Sequence, residues 1–292
     1  MAAASDLENF DSFLLELRHS VGTSHPHLTE LFDVFAQEAR FGRSWLASSL
    51  LGLPSGSELL EVGGGLMLLS VQLQREGYQV TALEPIGVGF SSFLELQGLV
   101  LKFATSAGCA PSVLPLRVED FELKSCFDFA FSINVMEHVS NVPLALANVV
   151  TALKSKCTYR FLCPNYVFPY EPHFNIPTLL SKSLTERVFK NQIFSSTRVS
   201  DPVGMWASLN WISVRFVARE VAKIKDCAVR FERTILRDMF LRVVDDEQFA
   251  KRRSAWVKSF SKLLVQSRLH HLLALLPASF LPLMDCSVTR KH

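Results

Sequence analysis

The stretch Glu58-Leu59-Leu60-Glu61-Val62-Gly63-Gly64-Gly65, followed through to Glu84, decides how the chain folds. Leu59, Leu60 and Val62 make the short apolar run that a buried parallel strand requires. Gly63, Gly64 and Gly65 remove the Cβ atoms that would keep a ligand away from the backbone. From Leu66 to Gln74 the pattern predicts a helix whose first amides point into the same crevice, and Gly77 is placed to end it. Tyr78 to Leu83 alternate as a second strand, with Glu84 at its end. The result is one βαβ unit of a nucleotide-type fold.

Glu84 stands 19 positions beyond Gly65, where such units place the acid that accepts from ribose hydroxyls. An adenosine-containing ligand follows. A dinucleotide fingerprint needs a third glycine, and that position is Leu68. A pyrophosphate would also be repelled by Glu61, just before the turn, whereas a cationic ligand would welcome it. Glu61, Gly63 and Gly65 resemble motif I of the class I S-adenosylmethionine-dependent methyltransferases, E/D-x-G-x-G-x-G, with Met67 in place of the last glycine. The resemblance implies S-adenosyl-L-methionine as cofactor, its methionine end held by Glu61 and by Gly63, Gly64 and Gly65, and its ribose by Glu84.

Moving outward, Phe10, Phe13, Leu14 and Leu17 share one helical face, and Leu28, Leu31, Phe32, Val34 and Phe35 suit a second. A loop at Pro85 to Gly89 precedes a helix from Ser91 to Phe103. Pro111 to Val118 reads as a third strand, ending in Glu119-Asp120-Phe121. An acid there can accept from the adenine amino group; Glu119 and Asp120 both qualify, as does a plain solvated loop. Val-Glu-Asp-Phe resembles the acidic loop of quinone-biosynthesis-type O-methyltransferases. Phe127 to Ile133 is a nearly continuous apolar fourth strand. It runs into Asn134-Val135-Met136-Glu137-His138-Val139, which resembles the E-H-V segment of small-molecule class I methyltransferases. The resemblance places Asn134, Val135 and Met136 beside the adenosine and the methyl group. His138 is either a base or a structural residue of that turn.

Val142 to Leu153 reads as a helix and Cys157 to Cys163 as the fifth strand. Pro164-Asn165-Tyr166 follows the fifth strand, not the fourth, which argues against DNA amino methylation. The loop from Pro164 to Pro177 crowds prolines and aromatics around Glu171 and His173. There His173 can take a proton from an acceptor hydroxyl with Glu171 orienting it, or simply pack the loop. Leu179 to Phe194 and Trp206 to Lys225 read as helices, Ala228 to Leu236 as a sixth strand and Met284 to Arg290 as a seventh. Between those strands a helical insertion at 245–276 carries Lys251-Arg252-Arg253, Lys258, Lys262 and Arg268 with Trp256 and a leucine face. Contact with a membrane surface or a protein through 249–276, or plain packing, all fit it. The neighbours His270 and His271 diverge on a helix, and no metal site is expected.

With 292 residues, 49% of them apolar, the chain can bury a large core. Lys and Arg number 30 against 28 Asp and Glu, a balance that gives no electrostatic footprint for nucleic acid. Six scattered cysteines and no apolar run long enough to span a bilayer suit a cytoplasmic protein. The fold class expected is α/β: a Rossmann-like, seven-stranded class I methyltransferase sheet with helices on both faces, a helical N-terminal cap over 1–50, a cofactor-binding core over 51–166, and substrate-side helical insertions with the closing strands over 167–292. The resemblance implies methyl transfer to an oxygen, less readily a nitrogen, of a small-molecule, lipid-like or glycan acceptor. The rival expectations are a non-catalytic cofactor-binding subunit that supports a partner, and a nicotinamide-dependent oxidoreductase.

Overall fold

The computed structural model describes residues 2–85, 91–246, 250 and 255–291. The expected loop at 86–89 and the triplet Lys251-Arg252-Arg253 lie outside the described residues. Strands β1 (Glu58–Val62), β2 (Gln79–Leu83), β3 (Ser112–Leu114), β4 (Phe127–Ile133), β5 (Leu153–Pro164), β6 (Cys227–Phe231) and β7 (Leu283–Arg290) form a seven-stranded sheet in the order β3-β2-β1-β4-β5-β7-β6. The helices are α1 (Ala2–Ser24), α2 (Thr29–Leu50), α3 (Leu68–Arg75), α4 (Ser91–Ser106), α5 (Val142–Ala152), α6 (Lys182–Phe194), α7 (Pro202–Ser208), α8 (Val214–Val221), α9 (Ile235–Asp245) and α10 (Ala255–Gln266). The chain divides into two compact units. The first comprises Met1–Ile133, Leu144–Tyr159 and Arg290–His292, the second Asn134–Pro143 and Arg160–Thr289.

In the first unit β1 is the centre. Leu59 and Leu60 are fully buried. The strand pairs in parallel with β2 from Glu58↔Gln79 to Val62↔Leu83, and on its other edge with β4 from Leu59↔Phe129 to Glu61↔Phe131. Helix α3 supplies the crossover that a parallel β1–β2 pair requires. Strand order reverses between β1 and β4, the kind of switch point at which open α/β sheets bind ligands beyond their carboxyl ends. Phe10, Phe13, Leu17 and Val21 recur at the spacing of one helical face, and all are buried. They share one apolar cluster with Leu28 and Phe32, with Leu66, Met67 and Val71 of the turn and α3, and with Leu96 and Val100 of α4. The N-terminal helices therefore pack directly on the glycine turn.

Several boundaries differ from those read in the sequence. Pro115 has no amide to donate to a ladder, so β3 stops at Leu114 and 118–120 form a 3₁₀ turn. The expected sixth strand ends at Phe231. Ile235 and Val243 are instead the buried positions of α9, so the insertion begins ten residues early. Helix α6 starts at Lys182, because Ser181 caps it by accepting from Leu184 N. The single helix expected from Trp206 to Lys225 is two, because Ser213 caps α8 and accepts from Phe216 N.

Within the first unit, Arg43 of α2 is buried and its Nε donates to both carboxylate oxygens of Glu76, at 2.8 and 2.9 Å, just past α3. Gln72 Nε2 donates to the same carboxylate at 2.7 Å. Glu76→Ala strips a buried guanidinium of its carboxylate and should cost about 3 kcal/mol in urea unfolding, whereas the double variant Arg43→Met/Glu76→Met should lose markedly less.

Candidate functional site

The turn after β1 is stitched to the end of β2: Gly63 N and Gly64 N donate to Leu83 O at 2.8 and 3.2 Å. Gly63 and Gly65 have φ of 75° and 53°, the left-handed region that a Cβ penalises. A Cβ on Gly64 would lie 2.7 Å from Met67 Sδ and 3.1 Å from Ala82 Cβ. On Gly65 it would meet nothing within 4 Å, so this is the open side of the turn, where a ligand can approach the backbone. Gly65 N donates to Glu84 Oε2 at 2.8 Å, and Gly65 O accepts from Gln97 Nε2 at 2.7 Å. Met67 takes φ 65° at the start of α3 and is fully buried. A left-handed methionine costs about 1–2 kcal/mol, offset here by burial in the apolar cluster.

Two carboxyls flank this turn. Glu61 is buried in β1 and is hydrogen-bonded to Ser70 Oγ of α3. Burial drives it up to about 8, with Ser70 pulling it down and the charge of Glu84 adding to the rise. Burial also raises Glu84, against the pull of the Gly65 amide. Glu61 is thus mostly protonated at neutral pH, and a nearby cation would ionise it. This acidic pair beside an open glycine backbone fits a cationic, ribose-bearing ligand and disfavours a phosphate. Of the residues expected at the adenine, Asp120 is exposed and Glu119 is largely buried with an ion pair to Arg117 at 3.1 Å. Asn148 Nδ2 donates to Val118 O and Glu119 O at 3.0 and 2.9 Å and so fixes that turn.

In the second unit, Asn134 is exposed with φ 55°, Val135 is half-buried and Met136 is fully buried. Asn210 Nδ2 donates to Met136 O and Val139 O at 2.7 and 2.8 Å, clamping the turn that carries Glu137 and His138. The loop after β5 is held by Asn165, whose Nδ2 donates to Leu281 O at 2.8 Å. Tyr166 stacks on Trp211 with ring centroids 4.5 Å apart, and Trp206 meets Trp211 and Phe174 edge-on. A tight hairpin pairs Glu171 with Ile176. The Glu171 carboxylate, fully buried, accepts from His173 Nδ1 at 2.6 Å, Phe174 N at 2.7 Å and Tyr166 Oη at 3.3 Å.

His173 and His138, read separately from the sequence, come together. Their rings meet edge to face at 5.3 Å. His138 Nδ1 bonds Ser208 Oγ at 2.8 Å, and its Nε2 lies 3.9 Å from Glu137 Oε1. Burial lowers His138 to about 4, with the His173 charge adding to the drop and Glu171 opposing it. Burial alone would raise Glu171, but the hydrogen bond and charge of His173 outweigh it and hold it below the usual carboxylate range. An ionised Glu171 is acceptor-only, so His173 Nδ1 carries the proton and Nε2 is the basic nitrogen. Glu171 then stabilises the imidazolium that forms when Nε2 takes a proton, whereas His138 stays neutral. Glu137, His138 and His173 also bring ligand atoms within 4.8 Å of one another, close enough to grip a divalent cation, which the sequence reading did not anticipate.

Sequence reasoning missed Ser70, Gln97, Ser208 and Asn210. Each acts across the chain, and Asn210 lies 74 positions from the carbonyl of Met136 that it holds. A polar Ser70 within the apolar run Leu66 to Val71 was the one available signal.

No family model matches the chain. The uncharacterized protein Rv1509 of Mycobacterium tuberculosis is 47% identical over 281 residues, covering 96% of this chain and 95% of its own. A ubiquinone biosynthesis O-methyltransferase of Rickettsia bellii is 28% identical over 102 residues, 35% of this chain and 40% of its own. Among solved structures, an S-adenosylmethionine-dependent methyltransferase from Mesorhizobium loti superposes with a TM-score of 0.51 at 12% identity, over 85% of this chain and 97% of that one. The fold is the Rossmann-like fold of the class I S-adenosylmethionine-dependent methyltransferases. Among the described residues, no helix is long and apolar enough to cross a membrane.

Burial depresses His138 from 6.5 to about 4, so the unfolded chain takes up this proton first. Its contribution to stability is complete above pH 6.5 and is lost as pH falls towards 4. The ring keeps 27% of its surface exposed, and the discounted loss is about 2 kcal/mol. Denaturant unfolding of His138→Gln should show a correspondingly shallower loss between neutral and acid pH than the native chain.

Proposed function

The chain belongs to the same family as Rv1509 of Mycobacterium tuberculosis, and from that premise and the class I fold we propose that it is an S-adenosylmethionine-dependent methyltransferase acting on an oxygen of a small-molecule, lipid-like or glycan acceptor. The observation that carries the reading is the acidic turn: Glu84 held on the Gly65 amide, and Glu61 buried beside it. A nicotinamide-dependent oxidoreductase is disfavoured, since Leu68 is buried at the first position of α3, where the dinucleotide fingerprint needs glycine. The partial likeness to an O-methyltransferase supports an oxygen acceptor.

S-adenosylmethionine supplies a methyl group already activated on a sulfonium. The protein's task is then to hold, align and exclude water. Glu61 and Gly63 to Gly65 hold the methionine end, Glu84 the ribose hydroxyls, and the Glu119-Asp120 turn the adenine edge. Asn134, Val135 and Met136 are assigned to the methyl-transfer position. His173 Nε2 takes the proton of the acceptor hydroxyl, Glu171 stabilises the resulting imidazolium, and His138 positions the His173 ring. The aromatic set of Tyr166, Trp206 and Trp211 suits an acceptor with an apolar body. The six free thiols suit a cytosolic reaction. A second reading rests on the cluster of Glu137, His138 and His173: a divalent cation there would acidify the acceptor hydroxyl in place of a base. Sensitivity to a chelator, restored by added Mg²⁺ or Zn²⁺, selects that alternative.

Calorimetric titration with S-adenosylmethionine and with NAD tests the cofactor. Binding of the first alone is expected, weakened at least about tenfold in Glu84→Ala, the worth of one charge-assisted hydrogen bond. Since a cation ionises Glu61, binding at pH 7 should release a proton and its heat should vary with the ionisation enthalpy of the buffer; Glu61→Gln should abolish that variation. Binding of NAD instead, or of neither, sinks the assignment. With a methylated acceptor in hand, His173→Ala should lower kcat about 100-fold or more and leave cofactor affinity unchanged; cofactor binding without turnover on any acceptor would mark a supporting subunit.

A further inference from the structure

Helix α10 leaves a row of large apolar side chains exposed. Its inward position, Ser261, is fully buried and donates to Val257 O at 2.7 Å. Trp256, Phe260 and Leu263 recur at the spacing of one helical face, yet that face is turned outward, with Trp256 71% and Leu263 65% exposed. The 3₁₀ helix Leu269–Leu275 follows. With three residues per turn, Leu269, Leu272 and Leu275 fall in one row. All three are exposed, Leu275 at 72%, while His270 is buried. Phe280 is exposed too. Phe260 meets Phe240 of α9 at 5.8 Å between ring centroids. An exposed apolar row thus runs across two successive elements, while the inner side of α10 is formed by Ser261 with the half-buried Val257, Leu264 and Val265.

Charge identifies what covers it. From Phe249 to Met284 the chain contains no Asp or Glu, but carries Lys251, Arg252, Arg253, Lys258, Lys262 and Arg268. Lys262 leaves α10 about 100° round from Leu263, where a long side chain can reach headgroups while the apolar row is immersed. Of the acids on and just after α9, Asp238 pairs with Arg237 at 2.7 Å and Asp246 with Arg242 at 3.0 Å, while Asp245 is exposed at the end of the helix. A two-fold dimer through this face would set like charges against like, since an isologous interface meets its own copy. An anionic bilayer neutralises the cations and receives the apolar row, and an exposed Trp is the residue that settles at such an interface. No described helix can span a bilayer, so the contact is one of lying on the surface.

We propose that residues 255–280 form a docking face for anionic lipid bilayers, with Trp256, Leu263, Leu269, Leu272 and Leu275 entering the acyl boundary and Lys258, Lys262 and Arg268 engaging headgroups. The full chain should sediment with vesicles of phosphatidylcholine containing about a third phosphatidylglycerol, far less with phosphatidylcholine alone, and be released by high salt. Trp256 emission should shift to the blue on binding. Trp256→Phe should remove the shift while sedimentation persists, since Trp45 and Trp206 are buried and Trp211 is stacked on Tyr166. Leu263→Ser/Leu272→Ser should lower the bound fraction at least about tenfold, and Lys258→Glu/Lys262→Glu at least about fivefold. All four positions lie on the surface or its flank, and unchanged melting curves would show that the variants fold. No sedimentation with anionic vesicles overturns the proposal, as does binding indifferent to both double variants. A concentration-dependent dimer abolished by Leu263→Ser/Leu272→Ser would likewise overturn it, assigning the face to a second copy. None of these measurements needs the cofactor, so their outcome is independent of the methyltransferase reading.

Discussion

The first unit depends on one turn. The chain leaves β1 at Val62 and enters α3 at Leu68, and between them Gly63, Gly65 and Met67 all adopt left-handed backbone. Two of these positions carry glycine, for which that conformation is free of strain. The third carries a buried methionine, and its strain is tolerable only because the side chain fills the cluster shared by α1, α2, α3 and α4. The N-terminal helices are therefore not an appendage. They supply the apolar contacts that hold Met67, and Met67 in turn sets the open face of Gly65. Removing the glycine at this point of motif I shifts the work from backbone freedom to packing.

Two buried carboxyls, Glu61 and Glu171, and the half-buried Glu84 show how environment divides one chemistry into separate states. Glu61 has the hydroxyl and backbone amide of Ser70 and the like charge of Glu84 nearby, yet burial wins and its proton is held to about pH 8. Burial also raises Glu84, against the pull of the Gly65 amide. Glu171 is just as buried, yet it receives an imidazole N–H, a backbone N–H and a phenol, and it falls below the usual range. The hydrogen bond and charge of His173, which Glu61 lacks, decide the sign. The same donors have a structural role: they close the hairpin from Glu171 to Ile176 and fix the His173 ring, so the loop that carries His173 is ordered by that residue's own partner.

Legibility followed locality. The run from Phe127 to Ile133 gave β4 to the residue, because a strand buried on both faces writes its state into consecutive side chains. The glycine turn was legible because positive φ at Gly63 and Gly65 calls for glycine, and Glu84 because it ends the strand beside that turn. Pro115 was a local signal that the third strand should have stopped early. Ser213, which caps α8, was another. The meeting of His138 with His173 could not be read, since it depends on two loops held by Asn210 and Asn165 through bonds to distant carbonyls. Nor could the value of Met67 be read: the sequence shows only a missing glycine, while its compensation lies in residues scattered from Phe10 to Val100.

The two helical segments farthest apart in the chain obey opposite rules, and the contrast carries weight. In α1 the apolar face is buried throughout, and the period of the pattern suffices to explain the helix. In α10 a face of the same period points away from the protein, while Ser261 occupies the core side. Hydrophobic burial within the chain cannot have selected that arrangement, because turning Trp256 and Leu263 outward forgoes roughly 1.5–3 kcal/mol for each large side chain left in water. Single exposed apolar residues such as Leu51 and Leu180 occur elsewhere, but a row of them over two consecutive elements free of acidic residues fits a partner outside the chain. The apolar period supplies the helix, and the cations beside its exposed row select an anionic partner.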